Sequence, residues 1–338
     1  MIPHNKLTIT NNDKLAVQKV INSGWIAQGR EVLEFENEIC KFLNLPKGHA
    51  VAVSSCSMAM FVTLTVLNAK NKTVGIPVYV SRVLRGAIST AGAKEKLFDI
   101  DADGPNIDMN QVKKKPPKFL IVPHMYGIPV DLSKYKSSIV IENCAHSLGG
   151  FVQGVPLGLQ GNVGVLSFQA TKLITTGGMG GMIVSKNKKF ITKARKYRDF
   201  DNSKTHVPNL NVKMTDIHAA MGRAQLKRLK QFIKKRSKIF KIYSEAGLNL
   251  IGDKLNNKLD PVRYRALIRT KNPKKIIRHL YKKKIKSIIP IKRWELLSKK
   301  TKFKNSLAMT KSTVSLPIYP FLSEDNARKI AKIVKKIR

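Results

Sequence analysis

Acidic side chains are scarce in this 338-residue chain: 21 Asp and Glu stand against 63 Lys and Arg, for a formal net charge of +42. Cysteine and tryptophan are scarcer still, at three and two residues. The cysteines (Cys40, Cys56, Cys144) are odd in number and lack metal-ligand spacing. They argue against a disulfide scaffold and a metal site, and for a reducing, cytoplasmic setting. No apolar run approaches the roughly 18 residues that a membrane-spanning helix needs. The opening stretch MIPHNKLTITNNDK has no apolar signal-peptide core. Neither a membrane protein nor a secreted precursor is expected.

About two thirds of the basic residues follow residue 185, and runs such as Lys113-Lys114-Lys115, Lys234-Lys235-Arg236 and Lys282-Lys283-Lys284 recur. A field this positive raises the question of nucleic-acid binding. The runs read instead as solvated helix faces, so a nucleic-acid partner is not expected. The field would still steer a phosphate-bearing substrate to the surface.

A 43% hydrophobic content supplies a sizeable core, and the length suits two domains. Helical periodicity predicts helices over 13–23, 31–43, 57–67 and 81–90. Short apolar runs predict strands over 49–54, 72–77, 95–100, 117–123, 138–141 and 163–168. This alternation implies an α/β fold: a large, mostly parallel sheet with helices on both faces. One long helix is expected over 216–240, then a smaller α/β unit with a strand over 263–269 and helices over 273–283 and 324–337. The division falls at 1–235 and 236–338. In such sheets ligands bind where strands end.

Three strand ends carry chemistry. Ser54-Ser55-Cys56-Ser57 follows one strand and opens a helix, where free amides and hydroxyls make an anion site. Taken alone, an ordinary N-cap serine is the favoured explanation. Glu142-Asn143-Cys144-Ala145-His146 places polar groups after a second strand. The segment 161–182, GNVGVLSFQATKLITTGGMGGM, ends a third strand at Ser167-Phe168. It then presents Lys172 ahead of the cluster Gly177-Gly178-Met179-Gly180-Gly181. A phosphate cradle, a polar strand end and an isolated lysine together fit pyridoxal phosphate (PLP). That cofactor needs an anion site, a partner for its ring nitrogen and a Schiff-base lysine.

With those residues in view, the chain resembles the DegT/DnrJ/EryC1/StrS sugar aminotransferases, of the fold-type I, aspartate aminotransferase-like class. The matching segments include SGWIAQGREVLEFENEICKFLN (23–44), VAVSSCSMAM (51–60), VPHMYGIPVDL (122–132), IENCAHSLGG (141–150), SFQATKLITTGGMGGMIV (167–184), NVKMTDIHAAMGRAQL (211–226) and SLPIYPFLSEDN (315–326). The resemblance implies a PLP/PMP enzyme that moves an amino group from glutamate to a nucleotide-linked keto-sugar. It implies a homodimer with shared active sites. Lys172 matches the catalytic lysine, Ser167 a hydroxyl on the cofactor phosphate, and Cys56-Ser57 the pair whose amides hold that phosphate. His146 matches the residue bonding the cofactor's phenolic oxygen. Asn211 matches an asparagine reaching the phosphate from the neighbouring subunit. Lys292, in Pro290-Ile291-Lys292, matches a substrate loop that touches the diphosphate.

The chain departs from the family pattern at Asn143, where an aspartate pairs with the ring nitrogen. Ser81 stands where an aromatic residue stacks on the cofactor. Gln169-Ala170 replaces His-Pro, and Leu173 replaces Asn. A neutral amide cannot hold a proton on the ring nitrogen by charge pairing, so a weaker electron sink is expected. Two alternatives stay open: a same-fold PLP enzyme of altered chemistry, such as elimination or dehydration, and a degenerate sugar-nucleotide-binding homologue. The presence of Lys172 argues against the dehydratase branch, which has histidine there.

Overall fold

The computed structural model describes residues 1–202 and 209–337. Five strands come first: β1 (Ala50–Val53), β2 (Thr73–Pro77), β3 (Lys94–Phe98), β4 (Phe119–Pro123) and β5 (Ile139–Asn143). A short hairpin of β6 (Phe151–Val152) and β7 (Val155–Pro156) leads to β8 (Val163–Ser167) and β9 (Gly181–Val184). Seven of these form one sheet in the order β1-β9-β8-β5-β4-β2-β3. Neighbours from β8 to β3 run parallel, and β9 is antiparallel to both β8 and β1. The expected mostly parallel sheet is therefore present, with one reversed strand.

Side-chain alternation explains why the sheet is covered on both faces. In β4, Phe119 and Ile121 enter one hydrophobic cluster while Leu120 and Val122 enter another. Such strands cannot face water on either side, which is the usual condition of parallel sheets. Register brings Val53, Ser167 and Gly181 to one edge, and pairs Pro123 with Asn143. All three chemistry-bearing strand ends thus open on the same side.

A buried carboxylate ties the first helices to this core. Asp216 accepts the backbone N–H groups of Gly29, Glu31 and Val32 at 2.8–3.1 Å, at the start of the helix Arg30–Phe42. Those N–H groups have no intrahelical partner, and the positive helix end favours an anion.

The single helix expected over 216–240 is two helices, Asp216–Leu226 and Leu229–Glu245. The break sits where Arg228 is drawn to buried Asp13, at 2.5 and 2.6 Å, and Gln225 bonds the same carboxylate at 3.0 Å. Periodicity could not show this, because the apolar spacing continues across the break. The second helix then crosses between cores. Leu229 and Phe232 belong to the sheet's cluster, and Ile239, Phe240 and Tyr243 to a second one that extends to Val334.

In the second unit β10 (Leu259–Asp260) pairs with β6, and β11 (Ala266–Arg269) pairs antiparallel with β12 (Thr313–Leu316). The strand expected from residue 263 begins only at Ala266. Arg263 has φ +51°, a left-handed turn conformation that interrupts an extended run. Among the described residues no helix is long and apolar enough to cross a membrane.

Candidate active site

The helix Cys56–Val66 begins directly after β1. Ser55 caps it, its hydroxyl accepting the Met58 N–H at 3.2 Å. The N–H groups of Cys56 and Ser57 lie in the first turn, where no intrahelical acceptor exists. Gly181 makes this approach possible. A Cβ there would sit 2.4–2.5 Å from the backbone of Ser55 and Cys56. Ser167, at the end of β8, adds a hydroxyl to the same wall as the Cys56 thiol. Burial pushes that thiol up to about 11, against the Lys172 charge and the Ser167 hydroxyl. Cys56 is therefore a neutral wall at physiological pH.

Glu142, next to Asn143, is a structural carboxylate that the sequence reading left without a role. It accepts N–H groups from Gly158, Gln160 and Gly161 at 2.7–2.9 Å, and its Oε2 lies 2.9 Å from His124 Nε2. Burial opposes its charge, but the His124 contact and the glycine N–H groups outweigh it and hold its carboxyl below the usual range. This network fixes the end of β5. The Asn143 Oδ1 accepts the Ala145 N–H at 3.1 Å, which leaves the Asn143 NH2 without a protein partner among the described residues.

His146 is clamped between two aromatic rings. Tyr264 stacks at 4.2 Å and 11°, and Tyr126 at 5.8 Å and 8°. Burial holds the imidazole well below its ordinary pKa, and the Lys172 and Arg265 charges reinforce this. The ring is thus neutral. The Tyr126 N–H points at Nδ1 from 3.4 Å, which leaves Nε2 free to carry the ring proton toward a bound acceptor. Lys172 Nζ lies 3.1 Å from that Nε2.

These groups line one cavity of about 560 Å³. Cys56, Ser57, Asn143, His146, Ser167 and Lys172 all face it, so six of the eight expected site residues come together. Asn211 does not. It is exposed, and its Oδ1 accepts the Lys213 N–H at 3.2 Å. Lys292 is also exposed and outside the lining, although its neighbours Ile291, Trp294 and Glu295 are in it. Tyr126, Tyr264, Arg265 and Arg82 went unnoticed in the sequence. Their places depend on long-range packing, and only the Tyr264-Arg265 pair just before a strand offered any signal.

The residues fit PLP. Free amides and a hydroxyl suit its phosphate, and the unpartnered Asn143 amide suits a ring nitrogen. The His146 Nε2–H suits a phenolic oxygen, and Lys172 is the amine beside it. The fold and this site define a fold-type I PLP-dependent transferase. The sequence profile of the DegT/DnrJ/EryC1/StrS aminotransferase family matches residues 7–335, and the chain belongs to that family. It is 27% identical to GDP-perosamine synthase from Vibrio cholerae, over 99% of this chain and 98% of that protein. Its fold matches the aminotransferase TlmJ from Streptoalloteichus hindustanus, with a TM-score of 0.92 at 23% identity, over 99% of this chain and 98% of that one. It also matches the sugar aminotransferase CalS13 from Micromonospora echinospora, with a TM-score of 0.90 at 21% identity, over 99% of this chain and all of that one. Solved structures of this fold include PLP and PMP forms.

Proposed function

We propose that this protein transfers an amino group from glutamate to the keto carbon of a nucleotide-linked sugar, using PLP. The carrying observation is the Lys172 amine set 3.1 Å from a neutral, clamped His146, above the phosphate cradle of Cys56, Ser57 and Ser167. Similarity to a GDP-sugar enzyme, and a positive surface suited to a diphosphate, support the substrate class.

When bound, PLP supplies an aldehyde to carry the amino group and an aromatic ring to withdraw electrons. The protein does the rest. The Cys56 and Ser57 amides and the Ser167 hydroxyl anchor the phosphate end. His146 donates through Nε2–H. Lys172 is the base that moves the proton between the two carbons of the transfer. Asn143 can orient the ring through its NH2 but brings no charge, which weakens the sink by an order of a few kcal/mol.

We further propose a cytoplasmic homodimer, divided near residue 235. The second core from Ile239 to Val334 supports the division, and the three free thiols support a reducing compartment. The exposed Asn211 supports a role at a neighbouring subunit's site. Adding PLP and then glutamate tests the reading. A band at roughly 330–430 nm that changes with glutamate is expected. A band unmoved by any amino acid would remove the transamination step.

A further inference from the structure

The mouth of the cavity is built differently from its floor. Residues 290–295 supply its lip, and the segment they begin, through residue 306, is tied to the sheet domain at three places. Arg82 donates to the Trp294 carbonyl. The Leu297 N–H donates to the Val78 carbonyl at 3.2 Å, and Arg85 donates to the Leu297 carbonyl at 2.8 Å. Asp99 accepts the N–H groups of Asn305 and Ser306, both at 2.9 Å. Trp294 is thereby held on the lip, 55% exposed, with the Arg82 guanidinium 5.5 Å from its ring centre. One ring face is backed by a cation, and more than half of the residue stays open to solvent.

Both residues line the same cavity as Lys172. Arg82 has no carboxylate partner among the described residues, whereas Arg85, one turn on, is paired with Glu95. An exposed tryptophan and a guanidinium without a carboxylate partner, placed side by side, match a heteroaromatic ring joined to a diphosphate. The base stacks on the indole, and the guanidinium meets the phosphate oxygens. Lys292 and Arg293 open the same turn and add positive field, set against the negative Glu295 that closes it and lines the cavity.

We propose that Trp294 and Arg82 form the nucleotide subsite, taking the base and the diphosphate of the sugar substrate. This rests on the nucleotide-sugar reading above. It reassigns the diphosphate contact from Lys292, which lies outside the cavity lining, to Arg82.

The chain has two tryptophans, so Trp25→Phe leaves Trp294 as its single indole reporter. GDP and UDP are titrated into the PLP-loaded protein, with inorganic pyrophosphate as the baseless control. Saturable quenching by the nucleotides and none by pyrophosphate is expected. By calorimetry Trp294→Ala weakens nucleotide binding about tenfold or more, the scale of a lost base–aromatic stack, while Trp294→Phe restores most of it. Arg82→Gln weakens binding and flattens its salt dependence. Nucleotides that bind with Trp294 emission unchanged and equal affinity in Trp294→Ala overturn the subsite but leave the function standing. If no nucleotide binds while glutamate still alters the cofactor band, both the subsite and the sugar-nucleotide substrate fall, and transamination survives.

Discussion

Lys172 Nζ and His146 Nε2 stand 3.1 Å apart, and the Tyr126 N–H points at the other ring nitrogen, Nδ1, from 3.4 Å. Lys172→Ala should abolish both the visible cofactor band and the glutamate half-reaction. Far-ultraviolet circular dichroism should stay unchanged, because Lys172 caps no helix and pairs with no acid in the described structure. A variant that keeps the glutamate-dependent spectral change would remove Lys172 from the chemistry.

In the proposed reading, Asn143 offers its NH2 where a charge partner would hold a proton on the cofactor ring, while its Oδ1 accepts the Ala145 N–H. Asn143→Asp should accelerate the glutamate half-reaction by about tenfold or more, the worth of one charge-assisted contact. Stopped-flow absorbance measures it. An unchanged rate would mean that another group sets the ring's protonation.

His4 couples the amino-terminal segment to the site through Arg265, at 2.7 Å, and through the Ser315 hydroxyl, at 2.9 Å. Burial, with the charges of Arg265, Lys286 and Arg236, lowers its pKa to about 3. The folded state thus holds His4 neutral while the unfolded chain protonates it near 6.5. Its contribution is complete above about pH 6.5 and declines as pH falls toward 3, by roughly 1.4 kcal/mol per pH unit. Urea midpoints at pH 7.5 and 5 should differ in the wild type. His4→Gln should narrow that difference, and an unaltered pH slope would exclude His4 as the source.

Asp216→Ala removes one acceptor from three backbone N–H groups at the start of the helix Arg30–Phe42. A loss of about 3 kcal/mol is expected by chemical denaturation, since charge-assisted bonds to buried donors are costly to leave unmade. A change under 1 kcal/mol would show that water replaces the carboxylate.

Asn211→Ala and Lys172→Ala should complement each other if sites are shared between two copies. Each variant alone is expected to be impaired. Mixed dimers regain one good site in two, so statistical mixing gives about a quarter of wild-type sites. No recovery after mixing, with dimers verified by mass, would place Asn211 outside the partner's site.

The layered fold was legible because its strands are short, its central ones mostly apolar, and all are regularly interrupted. The site's floor was legible because Ser167, Lys172, Asn143 and His146 are anchored to strand ends, and strand ends follow from local pattern. What stayed hidden depends on distant partners. Arg228 breaks a helix because Asp13 waits for it 215 residues earlier. Tyr264 reaches His146 because a left-handed turn at Arg263 swings the chain inward. Trp294 lies over the mouth only because Arg82, Arg85 and Asp99 reach across from the sheet. None of these pairings leaves a periodic trace.

The lip segment fastened at three places has one more consequence. A jaw that shuts on its substrate admits many shapes and sorts them by how well each drives closure. A fixed aperture sorts at the threshold instead. Here hydrogen bonds with Arg82, Arg85, Val78 and Asp99 already hold residues 290–306 against the sheet, so a fitting ligand need not spend binding energy on arranging its own doorway. Selectivity among sugars should then show itself mainly in how fast they enter, rather than in how tightly they are held once inside.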